Sequence, residues 1–145
     1  MKISIKHIAQ IEGHGGFVAD LEQGKVKSAK IKTHEGARLI EGLLVGRYYN
    51  EAPLITARIC GVCPVVHNLC SIKALEKALD VKISPTNTLL REVMELGQTI
   101  QSHALHAYFM ALGDYFNIKH AFDLTKKFPV ATLKALSIRD FGNRL

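Results

Sequence analysis

The spacing of apolar residues changes near Gly36, and this change limits what the chain can fold into. Before Gly36, apolar and polar residues alternate in short runs, which predicts three strands: over 3–11, 17–21 and 26–33. A hairpin turn separates the last two runs, with Gly24 free to take a positive φ. After Gly36, apolar residues recur every three or four positions, as in helices. The order predicts an α+β fold with a small N-terminal β-meander over 1–34 and a mainly helical region over 35–145.

Prolines and caps divide the helical region into separate helices. We predict a first helix from about Gly36 that Pro53 ends, followed by an irregular approach over 54–63. Pro64 and the Ser84-Pro85 pair mark the starts of the next two helices, since proline is tolerated in the first turn and serine is a good N-cap. The second of these helices is predicted to reach about Leu112. Two shorter helices are predicted after it: near 117–127 and 130–142.

Composition narrows the class of protein. The 145 residues are 48% hydrophobic, which is enough for one core, so we treat 1–145 as a single portion. The net charge of +6 is spread along the chain, which favours solvated faces over a nucleic-acid site. No apolar run approaches the ~18 residues of a membrane span, and the N-terminus lacks a signal peptide pattern, which predicts a cytoplasmic location. The helical pattern runs to Leu145 without a cap, which suggests a truncated or split polypeptide.

Three cysteines lie within eleven residues, at Cys60, Cys63 and Cys70. An odd number of clustered cysteines is a poor disulfide framework and favours metal-binding or redox thiols. Thiolates three residues apart can bind one metal, Gly61 would allow the tight turn, and a helix N-terminus would favour the thiolate form. His67 follows Cys63 by about one helical turn, so its imidazole can bind a metal or donate to the sulfur.

Two other interpretations of the cysteines compete with this one. A thioredoxin-like redox motif usually has its proline between the cysteines, whereas here Pro64 follows them. A structural zinc site could use Cys60, Cys63, His67 and Cys70 as a tetrahedral set. In a continuous helix, however, Cys70 lies ~10 Å along the axis from Cys63, too far for easy sharing of one metal. We therefore expect Cys70 to be a packing residue beside the apolar stripe.

A second pair of potential ligands lies further along the chain. His103 and His106 are three residues apart and could chelate a metal. We favour histidines that are hydrogen-bonded within a helical core.

Taken together, four motifs in the same order resemble the large, catalytic subunit of nickel–iron hydrogenases over nearly the whole chain. Ile-Glu-Gly-His at 11–14 resembles that family's N-terminal Arg-Ile-Glu-Gly-His, with Gln10 where arginine is usual. Residues 58–67, from Arg-Ile-Cys-Gly-Val-Cys-Pro to histidine, match its first cysteine motif. Glu41 resembles the glutamate of the preceding helix, and 100–106 resembles a helix of the cytosolic, soluble branch.

The resemblance implies roles for residues at the cysteine motif. Cys60 would be a terminal nickel ligand and Cys63 would bridge nickel and iron, in a Ni–Fe centre with diatomic ligands on iron. His67 would hydrogen-bond the bridging sulfur, and Arg58 would position the cysteine loop. The complete protein would catalyse H₂ ⇌ 2 H⁺ + 2 e⁻.

The resemblance also implies roles away from the cysteines. Glu12 would relay protons from the nickel site, and Glu41 would belong to a second cation site holding Mg²⁺ or Fe²⁺. Electrons would leave through an iron–sulfur small subunit, the expected partner, and no direct membrane span or nucleic acid is implied.

One part of the family pattern does not occur in this sequence. The family completes its centre with a second motif, Asp-Pro-Cys-x-x-Cys-x-x-His, and Cys70 stands where the family usually has a small residue. The chain therefore supplies a half-site, and a missing C-terminal half would supply the rest, so whether this chain is an enzyme by itself stays open. The related quinone-reducing respiratory subunit lacks the cysteine ligands, which counts against that alternative.

Overall fold

Three antiparallel strands dominate the first compact unit of the chain, Met1–Leu39. A computed structural model describes residues 1–9, 11–34 and 36–145. Its strands are β1 (Lys2–Ile5), β2 (Gly15–Glu22) and β3 (Lys25–Thr33), in the order β1-β2-β3. Gln10, the residue at the usual arginine position, lies outside the described residues.

The β2–β3 connection is the tight turn that the sequence predicts. Gln23 and Gly24 occupy its two central positions with φ of 51° and 76°. Positive φ at both positions is the geometry of a type I′ turn, whose twist matches that of the strands.

The first strand is shorter than predicted. It ends at Ile5, and the predicted continuation to residue 11 is wrong, because the chain must reverse between β1 and β2. Gly13 takes a φ of 81° in this connection. Gly16 must be a glycine for another reason: a Cβ there would lie 2.8 Å from the Lys6 carbonyl oxygen and 2.9 Å from that of Ile5. The glycine-rich segment thus allows a close approach of backbone to backbone.

Helices make up most of the remaining chain. In the described residues they are α1 (Ala37–Leu44), α2 (Ala52–Thr56), α3 (Pro64–Ala78), α4 (Pro85–Leu105), α5 (Leu112–Tyr115), α6 (Ala121–Lys127) and α7 (Pro129–Arg144). A 3₁₀ turn over Tyr49–Glu51 precedes α2, and a π-helical segment over His106–Ala111 joins α4 to α5. The predicted order, a small sheet followed by a mainly helical region, is confirmed.

Most predicted helix starts are correct, and the first predicted helix end is not. α3 begins at Pro64, and the Ser84 hydroxyl caps α4 by accepting from the Asn87 amide at 3.2 Å. Helix α1 already ends at Leu44, because Gly46 takes a φ of 79°, the left-handed conformation that commonly terminates helices. Pro53 lies in the first turn of α2 instead of ending a helix, a position where its missing N–H costs nothing.

Helices α4 and α7 cross at two glycines in the second compact unit, Ile40–Leu145. A Cβ on Gly142 would lie 2.6 Å from the Gly97 carbonyl oxygen, and one on Gly97 would lie 2.7 Å from the Gly142 carbonyl oxygen. The two backbones are therefore in direct contact. A small core of Tyr108, Leu124 and Ala135 lies further along the same helices.

An ion pair joins α3 to α4. The Arg91 guanidinium donates to both carboxylate oxygens of Glu76, at 2.7 and 2.5 Å, with both side chains 20% exposed. The hydrogen bonds from Arg91 hold the pKa of Glu76 below its ordinary value, and those same bonds raise the pKa of Arg91. Both groups are therefore charged at neutral pH.

None of the helices in the described residues combines the length and the apolar character needed to cross a membrane.

Candidate metal centre

The cysteine motif lies in the loop between α2 and α3, whose ends are held by side-chain hydrogen bonds. The Asn68 amide of α3 donates to the Pro53 carbonyl of α2 at 2.9 Å. The Thr56 hydroxyl, at the end of α2, lies 2.9 Å from the Ala52 carbonyl oxygen and 3.3 Å from that of His67. The two helix ends are thus tied together, and the loop over 57–63 spans a short, closed gap.

Backbone amides of the loop point at the first cysteine. The Val62 and Cys63 N–H groups donate to Cys60 Sγ, at 3.4 and 3.3 Å from nitrogen to sulfur. Amide donors stabilise negative charge on sulfur, and a thiolate is the form that binds metals. Gly61 is less constrained than predicted: its φ is not left-handed and an added Cβ would meet no protein atom within 4 Å. The expected need for glycine in this turn is therefore not seen.

Three potential ligands converge at the start of α3. The ligand atoms of Cys60, Cys63 and His67 all lie within 4.8 Å of one another, and each of the three residues is half-buried. Two ligands of one metal, at bonds of ~2.3 Å, lie roughly 4 Å apart, so the three atoms are close to a shared-metal arrangement. Two thiolates and an imidazole are soft to borderline donors, which fit nickel, iron or zinc.

Cys70 is not part of this group. It is exposed, two turns along α3, and lines a groove of about 630 Å³ between α3 and α4. The expectation that Cys70 packs in an apolar stripe is wrong, because the neighbouring Leu69 takes the buried position on the helix. The four-ligand zinc set with Cys70 is likewise not assembled in the part of the chain that the structure describes.

Two buried glutamines of α4 contact the loop, and sequence reasoning did not identify them as functional. Gln98 and Gln101 are 6% and 4% exposed, and their side-chain amides donate to the Val62 carbonyl at 2.8 and 2.5 Å. Their only sequence signal is two amides three residues apart on one face of a helix. They line a cavity of about 580 Å³ together with Arg139, whose Nε is buried and has no hydrogen-bond partner in the described residues.

The other predicted site residues lie on the surface of their own units. Arg58 and Glu41 are exposed in the second unit and Glu12 is exposed in the first. Neither glutamate belongs to a group of three metal-ligating residues in the described chain. His103 and His106 are exposed, so the expected core location of these histidines is wrong.

A comparison with protein-family models gives one match for this chain. The family described as nickel-dependent hydrogenase matches residues 38–141, which is more than half of the chain.

Curated relatives match the chain over almost all its length. The alpha chain of sulfhydrogenase 2 from Pyrococcus furiosus is 37% identical over 145 residues, covering 100% of this chain and 35% of that protein. A subunit of the F420-non-reducing hydrogenase vhu from Methanocaldococcus jannaschii is 37% identical over 152 residues, covering 99% of this chain and 36% of that protein. The chain thus spans about a third of the length of these relatives.

Solved structures of hydrogenases share the fold. An NAD⁺-reducing [NiFe]-hydrogenase in the H₂-reduced state matches with a TM-score of 0.69 and 34% identity, over 98% of this chain and 33% of that one. The reduced Ni-Fe-Se hydrogenase from D. vulgaris Hildenborough matches with a TM-score of 0.55 and 34% identity, over 79% of this chain and 24% of that one.

Proposed function

Since the chain belongs to the nickel-dependent hydrogenase family, we propose that it forms the N-terminal portion of the catalytic subunit of a nickel–iron hydrogenase. The complete protein would interconvert H₂ with two protons and two electrons. The observation that carries this proposal is the convergence of Cys60, Cys63 and His67 within 4.8 Å at the start of α3. When bound, a nickel–iron centre with diatomic ligands on iron would supply the redox and Lewis-acid chemistry for H₂ cleavage.

The residues at the start of α3 divide the work of holding the centre. Cys60 would be a terminal ligand of nickel, and its sulfur accepts two backbone N–H groups that stabilise its charge. Cys63 would be the ligand shared by nickel and iron. His67 would donate a hydrogen bond to the Cys63 sulfur, and Arg58 would help position the loop. The ligand distances support these assignments without distinguishing a ligand from a hydrogen-bond donor at His67.

Two acidic residues would serve the reaction away from the cysteines. Glu12 would accept a proton from the metal site and pass it on, a task suited to a carboxylate that can take up and release protons. Glu41 would contribute to a second cation site for Mg²⁺ or Fe²⁺, ions that prefer oxygen ligands.

A partner chain and further polypeptide would complete the enzyme. The chain spans about a third of its relatives and has a single Cys-x-x-Cys pair, so we propose that a C-terminal portion supplies the second pair. An iron–sulfur small subunit would carry the electrons, and the assembly would be cytoplasmic.

A zinc-binding structural role is the second candidate, because two thiols and an imidazole within 4.8 Å also suit zinc. It would need a fourth ligand other than Cys70, which is exposed and outside the group.

The test compares two cysteine variants in the complete catalytic subunit, purified anaerobically with its small subunit. Cys63→Ser should remove stoichiometric nickel and abolish H₂-dependent viologen reduction. Cys70→Ser, three residues beyond His67, is the matched control and should keep both within about twofold, since a surface substitution away from a site costs little. Stoichiometric zinc in place of nickel, or full activity in Cys63→Ser, would contradict the proposed function.

A further inference from the structure

The Val62 carbonyl, at the centre of the Cys-x-x-Cys loop, accepts two hydrogen bonds from one helix. The Gln98 and Gln101 side-chain amides reach its oxygen at 2.8 and 2.5 Å across 36 and 39 residues of sequence. Both glutamines are buried, at 6% and 4% exposed, and buried polar side chains are retained where their hydrogen bonds are made. Two donors on one carbonyl fix its direction more firmly than one.

The direction of this carbonyl determines where the next N–H points. The peptide unit between Val62 and Cys63 is planar, and in the trans form its C=O and N–H point in opposite directions. With its oxygen held toward α4, the unit directs the Cys63 N–H at Cys60 Sγ, 3.3 Å from nitrogen to sulfur. The glutamines thus act on the sulfur through one rigid peptide plane.

The helix that carries the glutamines is itself fixed at this turn. Gly97 precedes Gln98, and Gly142 of α7 lies so close that its Cβ, if it had one, would be 2.6 Å from the Gly97 carbonyl oxygen and 2.8 Å from the Gln101 nitrogen. Direct contact between the helix backbones leaves little room for α4 to shift. The two amides therefore have a rigid base.

We propose that Gln98 and Gln101 are positioning residues for the cysteine ligands. By holding the Val62 carbonyl, they keep the Cys63 N–H on the Cys60 sulfur and keep the pair set for a shared metal. This inference rests on the proposed function only in treating Cys60 and Cys63 as metal ligands. The placement of the loop itself is a property of the metal-free chain.

The experiment replaces each amide by an apolar group of similar length. Gln98→Met, Gln101→Met and the double variant are made in the 145-residue chain, with Leu96→Met as the control, since Leu96 is on the same helix and 60% exposed. Hydrogen–deuterium exchange of the Cys63 amide is measured by NMR without metal. Binding of Co²⁺ is then followed by its thiolate charge-transfer absorption. Circular dichroism checks that α4 is retained.

The double variant should exchange the Cys63 amide about 10-fold faster and bind Co²⁺ about 10-fold more weakly, the low end for loss of outer partners of metal ligands. Leu96→Met should change neither. Unchanged exchange, or faster exchange with unchanged Co²⁺ affinity, would overturn the proposal. If the unmodified chain binds no Co²⁺, the proposed metal role fails while the exchange result still decides the positioning role.

A second measurement needs no variant, in case the double variant does not fold. Scalar coupling across the hydrogen bonds, from each glutamine Nε2 to the Val62 carbonyl carbon, should be detectable by NMR in the unmodified chain. Absence of both couplings in a folded chain would overturn the proposal.

Discussion

At the level of single residues, the candidate centre joins neighbours in sequence to distant partners. Cys60, Cys63 and His67 come together through a short loop and the first turn of α3. Gln98 and Gln101 reach the same loop from α4 and hold the carbonyl between the cysteines. The group that binds metal is thus local in sequence, whereas its support is not.

Glu12 gives the prediction at this scale. In the complete enzyme, Glu12→Gln should slow hydrogen–deuterium gas exchange by about 100-fold or more, because an amide cannot relay the proton and positioned acid–base groups contribute at least this much. Nickel content should stay unchanged, since Glu12 is not proposed as a ligand. Mass spectrometry of the gas phase and metal analysis check the two parts.

The control for this prediction is Glu22→Gln, an exposed strand residue whose carboxylate pairs with Lys27 at 2.9 Å. It should exchange gas at the rate of the unmodified enzyme. A Glu12→Gln enzyme that does the same would show that the proton leaves by another route.

At the level of elements, helix α4 has the largest influence on the centre. The apolar period predicts one helix to about Leu112, but α4 ends at Leu105 and a π-helical segment follows. The extra residue in that turn changes which side chains face the core, and Tyr108 is buried there with its hydroxyl donating to the Phe128 carbonyl at 3.1 Å. Contacts with α6 and α7 therefore shape the end of the helix.

The crossing of α4 and α7 gives the prediction at this scale. Gly142→Ala should lower the free energy of unfolding by about 1–3 kcal/mol, the usual cost of overpacking, because its Cβ would lie 2.6 Å from a backbone oxygen that cannot move alone. Gly42→Ala is the matched control: an added Cβ in α1 meets nothing within 4 Å. That control should be stabilising by up to about 1 kcal/mol, from helix propensity alone. Urea unfolding followed by circular dichroism measures both, and equal effects would show that the helices do not cross this closely.

At the level of the whole molecule, much apolar surface is left uncovered. The accessible surface is 11249 Å², compared with about 7,400 Å² for a compact monomer of this mass. Large apolar side chains are exposed on several helices: Leu39, Leu43, Leu54, Leu89, Leu90, Phe122, Leu133 and Phe141. Exposed apolar surface on this scale marks regions that other polypeptide covers. It supports the proposal that a further part of the protein packs here.

The prediction at this scale concerns the chain by itself. The purified 145-residue chain should show no H₂-dependent viologen reduction under anaerobic conditions, because one Cys-x-x-Cys pair supplies half of the proposed cysteine ligands. The complete catalytic subunit with its small subunit is the positive control. Sustained turnover by the chain alone would mean that the reaction does not need the second pair.

The sequence by itself determined the order of strands and helices, the β2–β3 turn and the Cys60–Cys63–His67 group. These features depend on residues close together in the chain: on apolar period, on glycine and proline conformations, and on ligand spacing. Only the tertiary structure decided the end of β1, the exposure of Cys70 and the contact of Gln98 and Gln101 with the loop. Each of these depends on which backbone or side chain arrives from elsewhere in the chain, and spacing within one segment carries no information about that.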